Sequence, residues 1–438
     1  MKPAILTFDQ TPAFSIPVRF FLAAPLFGVM AAVTLIYYGP SALTTRWSAA
    51  TLALTHLLTL GYLAQIMVGA MIQLLAVLAG SPLPRPHMTA SIVYVTLIAG
   101  VLLLTSAFFH EGSLLSGLAL GLIATGFGSF VAGIVWSLSR SRSRSRHPSV
   151  RGMSFATVGL VITVLLGLYL GAAHSGLSSQ PTPTGLTDVH AAWGLLGWVM
   201  LLVMSVAYQV VPMFQSTPDY PVGMTRWLVP SLFVALLTWS ASELCQIAFC
   251  GPALGMLHIV SLGSCAAAVA AFAVVTLGLQ QRRRRRMSDV TLWSWRVAMA
   301  SALMAAGLWT VGQVLPSVAL DARYPIALGV LMLVGFAMAV VNGMLYKIVP
   351  FLVWLHTSAH LKRQGRNPRA APRMQHVIPP PRMRDQFWMQ QIGFMLLLWA
   401  VLWPSPWVYP AGVMLAVSSG MLWWNLLSAT RLYQKMTR

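Results

Sequence analysis

Twelve apolar stretches, most of them long enough to cross a bilayer as a helix, dominate this sequence. A membrane-spanning helix needs about 20 consecutive apolar residues, and such stretches recur along the whole chain. They are 20–39, 49–79, 91–109, 113–138, 154–173, 190–214, 227–249, 252–279, 293–315, 324–352, 387–403 and 407–430. The eleventh stretch is short. The pattern predicts an all-α polytopic membrane protein with about twelve transmembrane helices.

The composition excludes the soluble classes of protein. Charged residues make up 8% of the chain and hydrophobic residues 57%, whereas about 25% of the residues of a soluble protein are charged. Only eight residues are acidic, so a soluble enzyme, a disordered chain and a secreted disulfide scaffold are all excluded. Three cysteines, Cys245, Cys250 and Cys265, form no CxxC pair, and we interpret them as small buried hydrophobic residues.

The distribution of basic residues predicts the orientation. The net charge of +20 does not indicate nucleic-acid binding, because basic residues of membrane proteins collect in cytoplasmic loops. With the N-terminus inside, the cytoplasmic connections include the basic segments 140–151, 282–286 and 362–384. The opposite connections hold only Arg46 and Arg323. We therefore expect a multi-pass membrane protein, surrounded by the lipid bilayer, with both termini cytoplasmic.

Two segments outside the apolar stretches have their own interpretation. The N-terminal residues lack the features of a cleaved signal peptide, so we expect the first stretch to be kept as an anchor. Residues 356–386 are basic and proline-rich, which predicts a mobile cytoplasmic loop.

An internal repeat relates the second, sixth and tenth stretches. Each contains a glycine followed twelve positions later by a polar residue, and the copies are offset by 136 and 138 residues. The pairs are Gly61 and Gln73, Gly197 and Gln209, and Gly335 and Lys347. YQVVPMF at 208–214 and YKIVPFL at 346–352 match almost residue for residue. We predict one transmembrane domain, 1–438, built from three four-helix units at about 15–139, 152–280 and 291–438.

Two histidines occupy nearly equivalent places in this repeat. His56 lies in the predicted outer half of the second stretch, and His190 begins the sixth. Two imidazoles from different helices at similar depth are what a bis-imidazole haem site needs. Gly194 and Gly197 would then leave room for a flat macrocycle. The alternative is that His190 is an interfacial residue capped by Asp188 and that His56 bonds to a neighbouring helix.

Other ionisable residues in or beside the stretches are weaker candidates. His110, His174 and His258 fall in the predicted outer part of the bundle and are candidate metal ligands. Glu243 is a candidate for a proton or cation route, or for a partner of a haem-ligating histidine. The alternative for Glu243 is an interfacial residue at the end of a span. Lys347 is interpreted as extending toward the lipid headgroups.

Together these features resemble the catalytic subunit I of haem–copper oxidases and the related NnrS-type haem and copper membrane proteins. The resemblance rests on twelve spans, two cytoplasmic termini, three four-helix units and His56. It implies that His56 ligates haem and that His190 corresponds roughly to a copper ligand of the oxidases. The implied cofactors are a non-covalent haem b and, as a second metal, copper. The implied partners are a small gas ligand or an electron-donor protein.

The chain also departs from the oxidase pattern. Stretch seven lacks the adjacent histidines of the oxidases, and stretch ten lacks their two haem-ligating histidines. Met332 is an alternative axial ligand, although packing is its more ordinary role. We therefore expect a haem-binding redox or nitric-oxide-response protein of electron transport without oxygen-reducing activity. The alternative is a secondary transporter of a small solute or metal ion, because many transporters have twelve spans and internal repeats.

Overall fold

The computed structural model describes residues 10–110, 112–141, 147–177, 183–249, 255–284 and 288–437, with the side chains of 246–249 left out. The fold is 87% helical, and these ranges contain no strand, which confirms the prediction of an all-α protein. Several residues discussed above lie outside the described ranges. They are Arg142, Arg144, Arg146, Cys250, Arg285, Arg286 and Arg438.

Twelve long helices follow one another through the described residues. They are α1 Ser15–Tyr38, α2 Ala49–Leu78, α3 Pro86–Ala107, α4 Ser113–Arg140, α5 Pro148–His174, α6 Thr184–Gln215, α7 Val222–Phe249, α8 Gly255–Gln281, α9 Val290–Val314, α10 Arg323–Arg363, α11 Pro380–Leu402 and α12 Pro404–Thr437. Each helix contains one predicted stretch or most of it, so the order of helices along the chain is as predicted.

Eleven of these helices, counted over the described residues, are long and apolar enough to cross a membrane. The remaining one is α11, which covers the short eleventh stretch. Its first half carries two arginines, one aspartate and three glutamines between Arg382 and Gln391, and these lower its mean hydropathy. Large apolar side chains on the surfaces of the other helices are exposed, such as Val95 and Leu165, as contact with lipid requires.

The loop between α10 and α11 is shorter than the predicted loop 356–386. Helix α10 continues through His356 to Arg363, and α11 already begins at Pro380. Only residues 364–379 lie outside the two long helices, and they include the short helix Met374–Val377. The predicted loop 356–386 therefore begins and ends inside helices. Backbone hydrogen bonds within the two helices restrict both of its ends.

Local sequence signals explain several helix starts. Proline occupies the first turn of α3, α5 and α11, where its missing N–H leaves no hydrogen bond unmade. Ser48 caps α2, because its Oγ accepts a bond of 3.1 Å from the backbone N–H of Thr51. Asp289 caps α9 in the same way, accepting at 3.0 Å from the N–H of Leu292.

The three helices that the repeat relates each contain a π-helical segment. These segments are Leu57–Leu63 in α2, Trp193–Met200 in α6 and Leu331–Met338 in α10. Each segment contains the glycine of the repeat, Gly61, Gly197 or Gly335 respectively. π-Helical turns are rare and frequently occur at functional sites. The side chains around these three glycines are therefore candidates for a functional site.

The chain forms two compact units. Unit 1 contains α3 to α8 together with the end of α2 and the second half of α9. Unit 2 contains α1, most of α2, the first half of α9, and α10 to α12. The division into three four-helix units at 15–139, 152–280 and 291–438 stays a prediction.

Candidate histidine sites and a buried polar cluster

His190 is held against α5 in unit 1. Its Nδ1 lies 3.0 Å from the carbonyl oxygen of Thr163. Its ring lies over the bare Cα of Gly167, where an added Cβ would be 2.8 Å from the ring Cε1. A carbonyl oxygen only accepts hydrogen bonds, so in the neutral ring Nδ1 carries the hydrogen and Nε2 the lone pair. This is the tautomer of a histidine that ligates a metal through Nε2.

His56 shows the same feature in unit 2. Its Nδ1 lies 2.8 Å from the carbonyl oxygen of Leu52, one turn earlier in α2. The π-helical segment begins at the next residue, Leu57. The lone pair of the neutral ring is again on Nε2. The bonded carbonyl belongs to the histidine's own helix, whereas the alternative interpretation expected a neighbouring helix for this contact.

His56 thus lies in unit 2 and His190 in unit 1. In metal-ligating histidines, the ring nitrogen that does not bind the metal usually donates a hydrogen bond, and a carbonyl is a common acceptor. Their joint ligation of one haem, and copper ligation by His190, stay predictions.

The glycines beside His190 serve helix packing. A Cβ on Gly159 of α5 would collide with the carbonyl group of Gly197, so the two backbones touch there. The Trp193 ring covers the other approach to Gly197, and Trp193 Nε1 donates to Ser240 Oγ at 2.8 Å. The expectation that Gly197 leaves room for a macrocycle is therefore wrong, because backbone and an aromatic ring fill that space. Near Gly194, the methyl group of Thr163 lies 3.4 Å from an added Cβ.

Two predicted candidates of unit 1 meet each other. Glu243 Oε2 lies 3.6 Å from His258 Nδ1, and Ser242 Oγ lies 3.3 Å from the same nitrogen. The side chains of Glu243 and His258 are each about one-fifth exposed. The sequence predicted each residue separately, but not the pair. A carboxylate beside an imidazole can accept and release protons, which fits the predicted proton route without testing it.

The remaining metal candidates lie at helix ends. His110 is exposed, and its Nδ1 lies 3.0 Å from the carbonyl oxygen of Ser106. The His174 ring lies 5.8 Å from that of Phe108. Across the described residues, no group of three or more histidine, cysteine, aspartate or glutamate side chains is placed to hold a metal ion. Metal ligation by His110, His174 or His258 stays a prediction.

Lys347 forms an ion pair within unit 2. Its Nζ lies 2.6 Å from Asp289 Oδ2, and the same carboxylate caps α9 through Oδ1. The expectation that Lys347 extends toward the headgroups did not include this ion pair with Asp289. A charged partner is available at the start of α9, so α9 and α10 are joined there.

Sequence reasoning missed a buried polar cluster in unit 2. Tyr346 Oη donates to Gln386 Oε1 at 3.1 Å and accepts from Asn425 Nδ2 at 3.0 Å. Gln386 Nε2 donates to Ser418 Oγ, and Ser418 Oγ donates to Gln390 Oε1, both at 2.9 Å. All five side chains are buried. The sequence carried a signal, because polar residues recur at helical spacings of four and seven: 386 with 390, and 418 with 425.

Unit 2 also contains an apolar, partly open cavity of about 150 Å³. Residues of α1, α2, α10, α11 and α12 line it, with Arg46, Thr51 and Thr55 among the few polar ones. His56 is not in its lining. Pockets for small ligands usually measure about 300–1,000 Å³. This cavity is therefore small for a macrocycle, and the fit of a haem rests on the chemistry of the two imidazoles.

Comparison with protein-family models gave no match to this chain, and comparison with curated proteins gave none. The fold defines the class, a polytopic all-α membrane protein.

Proposed function

We propose that this chain is a multi-pass protein of a bacterial inner membrane that binds a non-covalent haem b through His56 and His190. In this proposal it transfers electrons or responds to a small gas such as nitric oxide. One observation carries the proposal: a backbone carbonyl at 2.8–3.0 Å fixes the same tautomer of both histidines. Both histidines also lie at or just before a π-helical segment.

The two imidazoles suit a haem by their chemistry. Neutral nitrogen ligands held by a second hydrogen bond are the usual axial ligands of such iron, and haem supplies one-electron chemistry when bound. His56 and His190 would together hold the iron of the haem. In the gas-responsive form of the proposal, the candidates for a second site are His110, His174 and His258. Copper at His190 is the variant that the oxidase resemblance implies.

Oxygen reduction is outside this proposal. Helices α7 and α10 carry no histidine within the stretches where the oxidases have theirs. The orientation in the proposal has both termini in the cytoplasm, because the basic connections lie on that side.

The visible absorption spectrum of the purified protein tests the proposal. We expect a Soret band in the wild type, and His56→Ala and His190→Ala should each lower the haem content or shift the spin state. His376→Ala is the matched control, because His376 is exposed in the short helix after α10. A full, unshifted spectrum in both membrane variants would place the ligands elsewhere.

A secondary transporter is the second candidate function. The cavity of unit 2 favours it, because five helices line a space with one arginine, two threonines and one serine. A wild-type protein without a Soret band, together with uptake of a small solute or metal ion into proteoliposomes, would replace the haem proposal by this one.

A further inference from the structure

A second cavity opens at the end of α6 in unit 1. Its volume is about 640 Å³, and it is open to the surroundings of the protein. Polar groups form much of its lining: Tyr208, Gln209, Ser216, Thr217, Asp219 and Arg284. They come from the end of α6, the connection to α7 and the segment after α8. A space of this size is in the usual range for a ligand site.

Specific hydrogen bonds fix the walls of this cavity. The backbone N–H of Arg284 donates to the carbonyl oxygen of Ser216 at 2.9 Å. One turn deeper, the buried Gln280 Nε2 donates to Gln215 Oε1 at 2.9 Å. Tyr220 Oη and Thr276 Oγ1 are also 2.9 Å apart and buried. The end of α8 and the segment after it are thus attached to the end of α6 and the α6–α7 connection at three levels.

Arginine residues provide positive charge at this cavity. Arg284 lines the cavity, and Arg282 and Arg283 precede it. The Arg151 guanidinium donates to the carbonyl oxygen of Arg226 at the start of α7 and interacts electrostatically with the Tyr208 hydroxyl group. Asp219 is the acidic residue of the lining. The cavity therefore favours an anion, while the carboxylate of Asp219 favours an anion that also carries hydroxyl groups.

The matching motif of unit 2, residues 346–352, has partners for its polar side chains within the protein. There, Tyr346 is 4% exposed and its hydroxyl bonds to Gln386 and Asn425, while Lys347 pairs with Asp289. In unit 1, Tyr208 and Gln209 occupy the same places in the motif and line the cavity instead. The Tyr208 hydroxyl is 3.5 Å from the carbonyl oxygen of Met224, at the limit of a hydrogen bond.

We propose that this cavity of unit 1 binds a phosphate-bearing anion that also carries hydroxyl groups. Arg284 is its principal cation, because a guanidinium group matches the geometry of phosphate oxygens with two parallel bonds. Tyr208 and Gln209 supply further donors, and Asp219 accepts from the hydroxyl groups of the ligand. A phosphatidylglycerol headgroup and a soluble glycerol phosphate share this chemistry. The proposal does not depend on haem.

Native mass spectrometry of the purified full-length protein tests this site. Dioleoylphosphatidylglycerol should bind more tightly than dioleoylphosphatidylcholine. Arg284→Gln should weaken phosphatidylglycerol binding about tenfold, which is the size expected for one charge-assisted hydrogen bond. Arg282→Gln is the matched control, because it removes the same charge from the same segment outside the lining. We expect it to change the affinity less than twofold.

Calorimetric titration with sn-glycerol 3-phosphate distinguishes the two sources of phosphate. Binding that Arg284→Gln weakens supports the site with a soluble ester as its ligand, whereas binding of phosphatidylglycerol alone supports it with a lipid. Equal losses in the two arginine variants overturn the proposal, since they indicate general surface charge. So does the failure of both probes to bind.

A second variant covers the case in which Arg284→Gln does not fold. Asp219→Asn removes the negative charge of the lining but keeps an oxygen that accepts from the hydroxyl groups of the ligand, so it should tighten the binding of the anionic probe. Asp321→Asn, at an exposed acid outside the cavity, should leave the binding unchanged. An Asp219→Asn protein with unaltered affinity would contradict the site.

Discussion

One hydroxyl group, that of Tyr346, joins three helices of unit 2. It donates to Gln386 on α11 and accepts from Asn425 on α12, while Tyr346 itself lies on α10. Hydrogen bonds between membrane helices contribute modestly when measured in pairs, about 0.6 kcal/mol on average. Leaving buried partners unpaired costs more, because no water reaches them. The cluster therefore matters most when one shared atom is removed.

Tyr346→Phe should lower the free energy of unfolding by about 1–3 kcal/mol, because it leaves the amides of Gln386 and Asn425 each without one bond. Unfolding of the detergent-solubilised protein by denaturant measures this. Tyr37→Phe is the control, because Tyr37 is 80% exposed. Equal stability of the two variants would show that the cluster contributes nothing.

The sequence revealed the candidate residues better than their partners. Histidines and acids are rare enough in this chain that His56, His190, His258 and Glu243 were evident without coordinates. The approach of His258 to Glu243 depends on how α7 packs against α8, which hydropathy does not encode. Gln390 was missed because a glutamine near the start of an apolar stretch is unremarkable until its four-residue spacing from Gln386 is considered.

At the scale of the elements, close backbone contact decides where glycine is needed. On α5, Gly159 meets the carbonyl group of Gly197. On α4, the space beside Gly128 is open to 4 Å. The helices themselves were predictable from apolar length alone. Their π-helical segments were not, because hydropathy says nothing about which carbonyl each N–H reaches.

The two glycines should respond to alanine with opposite signs. Gly159→Ala should destabilise the protein by about 1–3 kcal/mol, because the methyl group has no space. Gly128→Ala should stabilise it by about 0.5–1 kcal/mol, because alanine loses less backbone entropy in a helix. Thermal unfolding in one detergent compares them. A Gly159→Ala protein as stable as wild type would contradict the contact between α5 and α6.

At the scale of the whole molecule, orientation is the property to be measured. Alkaline phosphatase fused after Arg373 should be inactive, because basic connections stay in the cytoplasm. A fusion within the connection 180–187 should be active in the periplasm. Activity from the Arg373 fusion would reverse the orientation, and with it the outer placement of His56 and His190.

The three π-helical segments also bear on ancestry. A π-helical turn accommodates one more residue than an α-helical turn, as a single-residue insertion would produce. The segments begin at Leu57, Trp193 and Leu331, with the same offsets as the glycines of the repeat. On the hypothesis of three repeated units, one insertion in an ancestral four-helix gene, copied twice, accounts for all three. The distortion would then be older than the present chain, and the histidines would have been gained or lost copy by copy around it.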